Sequence, residues 1–341
     1  MFARVVVDSS LPQLDREFEY RVPDALVQSV QVGSLVTVPF GKGKQSLSGY
    51  VVGLSSEQDF AGQLGELIEV QSQHGILDPA IYALCKTLAQ RNACSVSDLL
   101  KLALPTRAAT VDKVAGPSLG ASTFRGSSGW RRSILADPSY TSTQSGPALA
   151  AAAASDALSK GASMLILVPD LRSQASFSEA LSAANVEHTV YAPASARVGR
   201  YKQFCSASRA QSQVILGNRS AAYLPIHNLE TVFLWDDGDS SYLEPTAPYV
   251  STREVILARQ QLEGFNLAFV GNAVSTESQR LCEVGYFEAF DSVAHKPRLA
   301  WSEDVARIDG LAWRAIREAL AAKQPVLVQV AARGGSVSVY C

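Results

Sequence analysis

Short runs of alternating apolar and polar residues punctuate the first seventy positions: Arg4 to Val7, Phe18 to Arg21, Ser34 to Pro39, Leu47 to Leu54 and Leu67 to Val70. A period of two puts successive side chains on opposite faces, so each run predicts a strand with one buried face. Several strands this short predict a compact, barrel-like β module. The period then changes. Apolar residues recur at helical spacing over Pro79 to Gln90 and over Val96 to Ala103, the second stretch opening at a Ser95 cap and stopping before Pro105. Leu84, Leu88, Leu99, Leu100 and Leu102 are placed to pack these helices onto the strands.

From Thr106 to Ser145 periodicity fades and Gly, Ser and Thr accumulate, as in GASTFRGSSGW, which predicts a linker. An alanine-rich helix follows, with Ser145-Gly146-Pro147 as its cap and first turn and Lys160 near its end. Strands and helices then alternate. Met164 to Val168, Thr189 to Tyr191, Val214 to Leu216, Thr231 to Trp235 and Leu267 to Val270 are apolar runs of strand length. Helical stretches start at Leu171, pass through Arg200 and Phe204, and run from Thr252 to Leu262 and from Ser275 to Val284. This order predicts a parallel sheet covered on both faces. After Trp301 come a helix ending near Lys323 and a strand, PVLVQVAARGG. The expected plan is an α/β chain with a first domain over 1–105, a linker over 106–145, a second domain over 146–300 and the start of a further one over 301–341.

Composition narrows the functions. With 341 residues, 47% hydrophobic content and a formal net charge of -2, the chain is expected to fold as a globular protein of two domains or more. Near-neutral charge argues against indiscriminate binding to phosphate backbones, which needs clustered cations, so any nucleic-acid contact must be local. Arg131 with Arg132, and Arg197, Arg200, Lys202 and Arg209, are local basic groups that either touch nucleic acid or form solvated faces. No run reaches the length of a membrane span and the start lacks a signal peptide, so a cytoplasmic location is expected. Cys85, Cys94, Cys205, Cys282 and Cys341 are scattered and odd in number, as suits reduced thiols rather than a disulfide framework. His74, His188, His227 and His295 fall in no triad or metal spacing, which leaves an unrelated metabolic enzyme without its chemistry.

Candidate chemistry is concentrated in VILGNRSAAYLPIHNLETVFLWDDGDSSY, from Val214 to Tyr242. A buried strand ending at Trp235 runs into Asp236, Asp237 and Asp239, at the carboxyl edge where parallel sheets hold ligands. This is the position of a Walker B motif. The pairing of ILGNRSAAYLP with LWDDGDSSY resembles the PriA family of primosomal helicases, in which a G-T-R-S-A turn precedes a strand ending D-E-E-H-D-S-S-Y. If Asp239 to Tyr242 is the family's D-S-S-Y, Trp235 stands in place of the magnesium-binding aspartate and Gly238 in place of the histidine. A P-loop needs G-x-x-x-x-G-K-[ST] to cradle phosphate, and SILADPSYTSTQSGPALAAAAA, in the corresponding place, has no such lysine. LVPD (Leu167 to Asp170) and FVGNAVSTES (Phe269 to Ser278) also resemble family segments, with Asn272 and Val274 as departures. Tyr242 and Trp235 can stack on bases or belong to the core. Arg219 can contact DNA or pair with Asp236 or Asp237.

The amino-terminal phrases LPQLDREFEYRVP, VGSLVTVPFGKGKQSLSGYVVGL and SVSDLLKLALP also resemble this family, in its domain that grips the 3′ end of a nascent strand. The resemblance makes Phe18 and Glu19 the aromatic-acid pair of the terminal-nucleotide pocket and Gly41 the glycine that admits the base. The chemistry of these residues suits such a pocket, because an aromatic face stacks on a base, a carboxylate accepts from a 3′ hydroxyl, and Gly removes an obstructing Cβ. Taken alone, Phe18 can equally be core and Glu19 solvent-facing. Lys42 and Lys44 are placed for phosphate contacts, and the family's lysine near Leu64 to Glu66 is missing.

The resemblance as a whole implies a divergent, actinobacterial-type member with a small β-rich DNA-binding domain followed by a RecA-like helicase lobe whose nucleotide site is degenerate. The implied function is replication restart at stalled or branched forks, without a working motor and so without enzyme activity. The alternative is an ATP-dependent 3′-5′ helicase with an atypical nucleotide site built from Ser139 to Ser145, with metal held by Asp236 and Asp237. Forked DNA, other primosome proteins and single-stranded DNA-binding protein are implied partners, with no membrane, and the location would be the nucleoid. No cofactor is expected: ATP lacks its lysine, and the family's zinc would find only Cys341, the possible first ligand of a missing site, so that the chain reads as partial at its carboxyl end.

Overall fold

In a computed structural model of the chain, residues 1–41, 45–72, 74–113, 117–120, 129–139, 141–191, 197–290, 300–302 and 308–328 are described. The predicted alternation forms an antiparallel sheet of β1 (Phe2–Val7), β2 (Glu17–Arg21), β3 (Leu35–Pro39), β4 (Ser46–Ser55) and β5 (Glu69–Val70), in the order β2-β1-β4-β3-β5. Its two edges approach each other. The Arg21 amide donates to the Gly65 carbonyl at 2.9 Å and the Leu67 amide donates to the Arg21 carbonyl at 3.0 Å, so the segment leading into β5 closes on β2. Val5, Tyr20, Val36, Val38 and Val51 fill the interior of this nearly shut barrel.

Two helices follow, α1 (Pro79–Asn92) and α2 (Val96–Ala103). The Asp78 carboxylate accepts from the Ala80 amide at 2.8 Å and the Ser95 hydroxyl accepts from the Asp98 amide at 3.1 Å, each cap satisfying an amide with no partner inside its helix. Packing onto the strands is only part of what they do. Leu84, Leu88, Leu99 and Leu100 share one core with Val6 and Leu35 of the barrel and with Leu165, Ile215 and Val232 beyond it. The helices thus cement the barrel to the second sheet, and a short α3 (Ala109–Asp112) continues along the seam, its Asp112 paired with Arg107 at 2.9 Å.

The second sheet is parallel throughout its described strands, in the order β12-β6-β11-β10-β7-β9-β8. Its elements in chain order are β6 (Arg131–Leu135), α4 (Gly146–Ser159), β7 (Ser163–Leu167), α5 (Leu171–Ala183), β8 (Thr189–Tyr191), α6 (Arg197–Ala207), β9 (Val214–Gly217), β10 (Leu229–Trp235), α7 (Thr252–Glu263), β11 (Asn266–Gly271), α8 (Thr276–Glu283) and β12 (Glu288–Phe290). The expected linker is corrected here: Arg131–Leu135, inside 106–145, is a strand paired with β11. Its arginines lie on aromatic rings, Arg131 over Tyr286 at 4.1 Å and Arg132 over Trp130 at 4.6 Å, so their apolar stems supply the burial that aliphatic residues usually provide. Ala150, Ala151 and Ala154 let α4 approach one sheet face closely. On the other face α7 is anchored by Arg259, which is fully buried, bonds the Glu263 carboxylate at 2.6 and 3.1 Å and donates to the Ala222 carbonyl at 2.7 Å.

Residues 295–341 form a separate unit. Within it α9 (Gly310–Ala321) is the expected helix, capped by Asp309. Pro325 to Val328 pair in no strand, and the rest of the expected strand, with Cys341, lies outside the described residues. Among the described residues no helix is long and apolar enough to cross a membrane.

Candidate nucleic-acid interface

Strand β2 sits at an edge of the barrel sheet, and the cavity beside it brings Phe18 and Glu19 together. Its volume is about 450 Å³, lined by Arg4, Arg16, Phe18, Glu19, Tyr20, Phe60, Leu64 and Gly65 among others. Phe18 is half-buried: the Arg16 guanidinium lies over its ring at 4.7 Å, and Phe40 meets it edge-on at 5.8 Å. Glu19 grips a loop. One carboxylate oxygen accepts from the Asp59 amide at 3.0 Å and the other from the Phe60 amide at 2.7 Å. Leu64 and Gly65 occupy the side where a lysine was expected, whereas Arg4 and Arg16 supply positive charge from the strand side. Next to Glu19, Glu17 pairs with Arg4 at 3.5 Å and Lys86 at 3.3 Å and accepts from the Tyr82 hydroxyl at 2.9 Å. Burial alone would raise its pKa, but the Tyr82 hydrogen bond and the two cations hold it below the usual glutamate value.

Gly41 follows Phe40 with φ +75, a conformation that L side chains rarely adopt, and a Cβ there would meet nothing within 4 Å among the described residues. Its glycine is thus required by the turn rather than by crowding. Lys42 and Lys44 lie outside the described residues. Sequence reasoning missed Arg16 and Phe60. Arg16 shares the parity of Phe18 and Tyr20 in DREFEY, and Phe60 is the lone large apolar residue in SSEQDFAGQ, a loop that otherwise has no reason to carry one.

Arg219 opens a short 3-10 turn after β9, where Asn218 caps the chain by accepting from the Ser220 amide. It pairs with Glu244 at 3.2 Å and donates to the Ser241 carbonyl at 3.2 Å, so the alternative reading, a pairing with Asp236 or Asp237, is corrected to Glu244. Its side chain remains 40% exposed. A groove of about 440 Å³ joins it to Lys101 of α2 and Arg200 of α6. Of the other basic groups, Arg132 pairs with Glu288 at 3.3 Å and Arg209 donates to the Cys205 carbonyl at 2.7 Å, so both serve the fold.

At the carboxyl end of β10, Trp235 is 5% exposed and lies against Phe177 at 5.4 Å between ring centres. Its indole covers the amino end of α4: a Cβ on Gly146 would fall 2.0 Å from Trp235 Cζ3 and 2.5 Å from Cη2. Asp236 adopts φ +52, and burial followed by repulsion from Asp239, Asp237 and Asp170 raises its pKa. Asp237 is buried with its Oδ2 taking Arg253 at 3.2 Å and the Ser275 and Ser278 hydroxyls at 2.6 and 2.8 Å. Asp239 caps the next turn, accepting from the Ser241 amide at 2.7 Å. Gly238 faces Ser275, whose Cβ would be 3.3 Å from an added side chain. Tyr242 is buried, its hydroxyl proton shared between the Trp235 carbonyl at 2.7 Å and that of Leu167 at 3.0 Å, which removes it as a base-stacking surface. Upstream, Ser139 and Thr141 bond each other and Ser145 caps α4, so these hydroxyls serve local turns.

His188 bonds Ser178 at 2.7 Å, and burial pushes the Cys85 thiol up to about 12, far from a nucleophile's range.

Residues 4–105 match the family described as the 3'DNA-binding domain (3'BD) of PriA. The "Probable replication restart protein PriA" of Mycobacterium bovis and that of Mycobacterium tuberculosis H37Rv are each 32% identical to the chain, over 97% of it and 56% of their own length. The protein of the same name from Mycobacterium leprae is 30% identical over 97% of the chain and 57% of its own. The chain thus spans a little over half the length of these relatives.

Proposed function

We propose that this divergent member of the PriA family is a DNA-binding replication-restart protein that recognises stalled or branched forks through the nascent strand's 3′ end, without a working helicase motor. The observation that carries the second clause is the indole of Trp235 against Gly146. A motor holds the terminal phosphates of ATP at the amino end of the helix after its first strand, with a lysine, and holds magnesium with a carboxylate from the strand opposite. Here that space contains an aromatic ring, the helix start has no lysine, and Asp237 is committed to Arg253 and two serines. These residues do not fit a magnesium nucleotide.

The first clause is supported by the cavity beside β2. It combines an aromatic ring, a carboxylate, and cations from Arg4 and Arg16, which suit a base, a 3′ hydroxyl and a terminal phosphodiester respectively. Lys101, Arg200 and Arg219 line a second groove suited to duplex or single-strand backbone. Glu19 keeps lone pairs in reserve, since each oxygen accepts one loop amide and has capacity for another donor. Cytoplasmic, nucleoid-bound work beside other primosome proteins and single-stranded DNA-binding protein, in repair and recombination, belongs to the same proposal.

Phosphate release at saturating fork concentration, together with fork affinity with and without ATP, tests the motor clause. No release and an ATP-independent affinity are expected. Fork-stimulated turnover would overturn it in favour of an atypical helicase.

A further inference from the structure

The loop that Glu19 grips is built around one side chain. Both carboxylate oxygens take loop amides, those of Asp59 and Phe60. Gln58 closes the loop from the other side, its side-chain amide donating to the carbonyls of Phe60 and Gly62. An edge of the Phe60 ring then occupies the space that a side chain at position 62 would need: a Cβ there would lie 2.3 Å from Phe60 Cε1. Phe60 is thus held through its amide, its carbonyl and one ring edge, yet the residue is 58% exposed and borders the same cavity as Phe18. A single exposed apolar side chain needs no explanation by itself; what sets Phe60 apart is its place on the wall of the cavity that Phe18 and Glu19 also line.

Phe18 alone is a crowded platform. Arg16 covers its ring and Phe40 abuts it. A base entering the cavity therefore has Phe60 as its freer aromatic surface, with Arg16 lining the same cavity.

We infer that Phe60 is a stacking wall for the nascent strand's terminal base and that Glu19, by fixing the Phe60 amide, positions this wall as well as meeting the 3′ hydroxyl. The inference rests on the fork-binding reading. It makes the pocket a two-sided clamp: base recognition by stacking, insensitive to base identity, and end recognition by the carboxylate. Phe60 takes no part in the barrel core, so the clamp can be changed without unfolding the domain.

The test uses forks whose nascent 3′-terminal residue is 2-aminopurine or an abasic sugar, each with a 3′ hydroxyl, and a third ending in a 3′ phosphate. Affinity is read by anisotropy and stacking by quenching of the 2-aminopurine. The wild type is expected to quench the probe and to prefer the base-bearing end by about 5- to 150-fold, the range for base-aromatic stacking. Phe60→Leu keeps an apolar side chain over Gly62 and is expected to lose at least about five-fold of that preference, with the quenching, while still favouring hydroxyl over phosphate. Phe60→Trp should restore both. Equal base preference in Phe60→Leu and wild type overturns the inference, as does a wild type that favours the hydroxyl but ignores the base. A wild type indifferent to the 3′ end in every form removes the fork reading itself.

Discussion

Gly146→Ala tests the closed nucleotide site by the sign of a stability change. Glycine at the start of α4 has no positive φ to excuse it, so on backbone grounds alanine should stabilise the protein by about 0.4–1 kcal/mol through the unfolded chain. The packing predicts the reverse. The new methyl would sit 2.0, 2.5 and 2.6 Å from three carbons of the Trp235 indole, where contacts under 3.0 Å essentially never occur. That ring cannot swing aside, being buried against Phe177 and at the end of the central strand β10. Overpacking of this kind costs about 1–3 kcal/mol, leaving Gly146→Ala destabilising by up to roughly 2.6 kcal/mol and at best neutral. Trp235→Leu alone leaves a cavity and costs about 2–4 kcal/mol, but it frees the space, so in its background Gly146→Ala should become neutral or stabilising. Urea unfolding of the four proteins, followed by far-ultraviolet circular dichroism, gives the coupling directly. A stabilising Gly146→Ala in the wild-type background, or no coupling in the cycle, would refute the indole's placement and reopen the nucleotide site.

Other outcomes follow from the same contacts. Glu263→Ala strands the fully buried Arg259 charge and should cost about 3–5 kcal/mol in urea unfolding, whereas Arg259→Met with Glu263→Leu together should cost much less. Glu17 has a folded pKa below its unfolded value, so its contribution to stability is present above pH 4.5 and is lost as pH falls through the folded pKa; Glu17→Gln should flatten the melting-temperature profile in that acid window. Asp236 is shifted the other way, by burial and then by its aspartate neighbours, and its carboxylate disfavours folding above pH 3.8. Asp236→Asn, which also tolerates the left-handed backbone, should raise the melting temperature at pH 7 and lose that advantage as pH falls through the raised folded pKa toward 3.8.

The elements were most legible where one period held without interruption. β4, read as Leu47 to Leu54, runs Ser46–Ser55, and α2 matches its expected ends because Ser95 and Pro105 bracket it. β6 was hidden because RRSIL places two arginines where a buried strand normally has aliphatics, and only the rings of Tyr286 and Trp130 make that tolerable. That Phe18 and Glu19 border one cavity was not legible in the alternation, which puts adjacent strand side chains on opposite faces; the loop of Asp59 and Phe60 that Glu19 holds lines the same cavity. Phe60 was not legible either, because its role depends on a loop folding back to Glu19 across forty residues of chain. The meeting of Trp235 with Gly146 is likewise a product of sheet topology: β10 must lie beside β7 and under α4 before the substitution at the strand end reads as a filled site.

Recognition of the nascent end is tested most directly by equilibrium anisotropy of a labelled fork with a 3′ hydroxyl against the same fork with a 3′ phosphate, for wild type and Phe18→Ala. Tighter binding of the hydroxyl fork by the wild type without ATP is expected, with loss of that preference in Phe18→Ala. Equal affinity of the wild type for both forks would contradict end recognition.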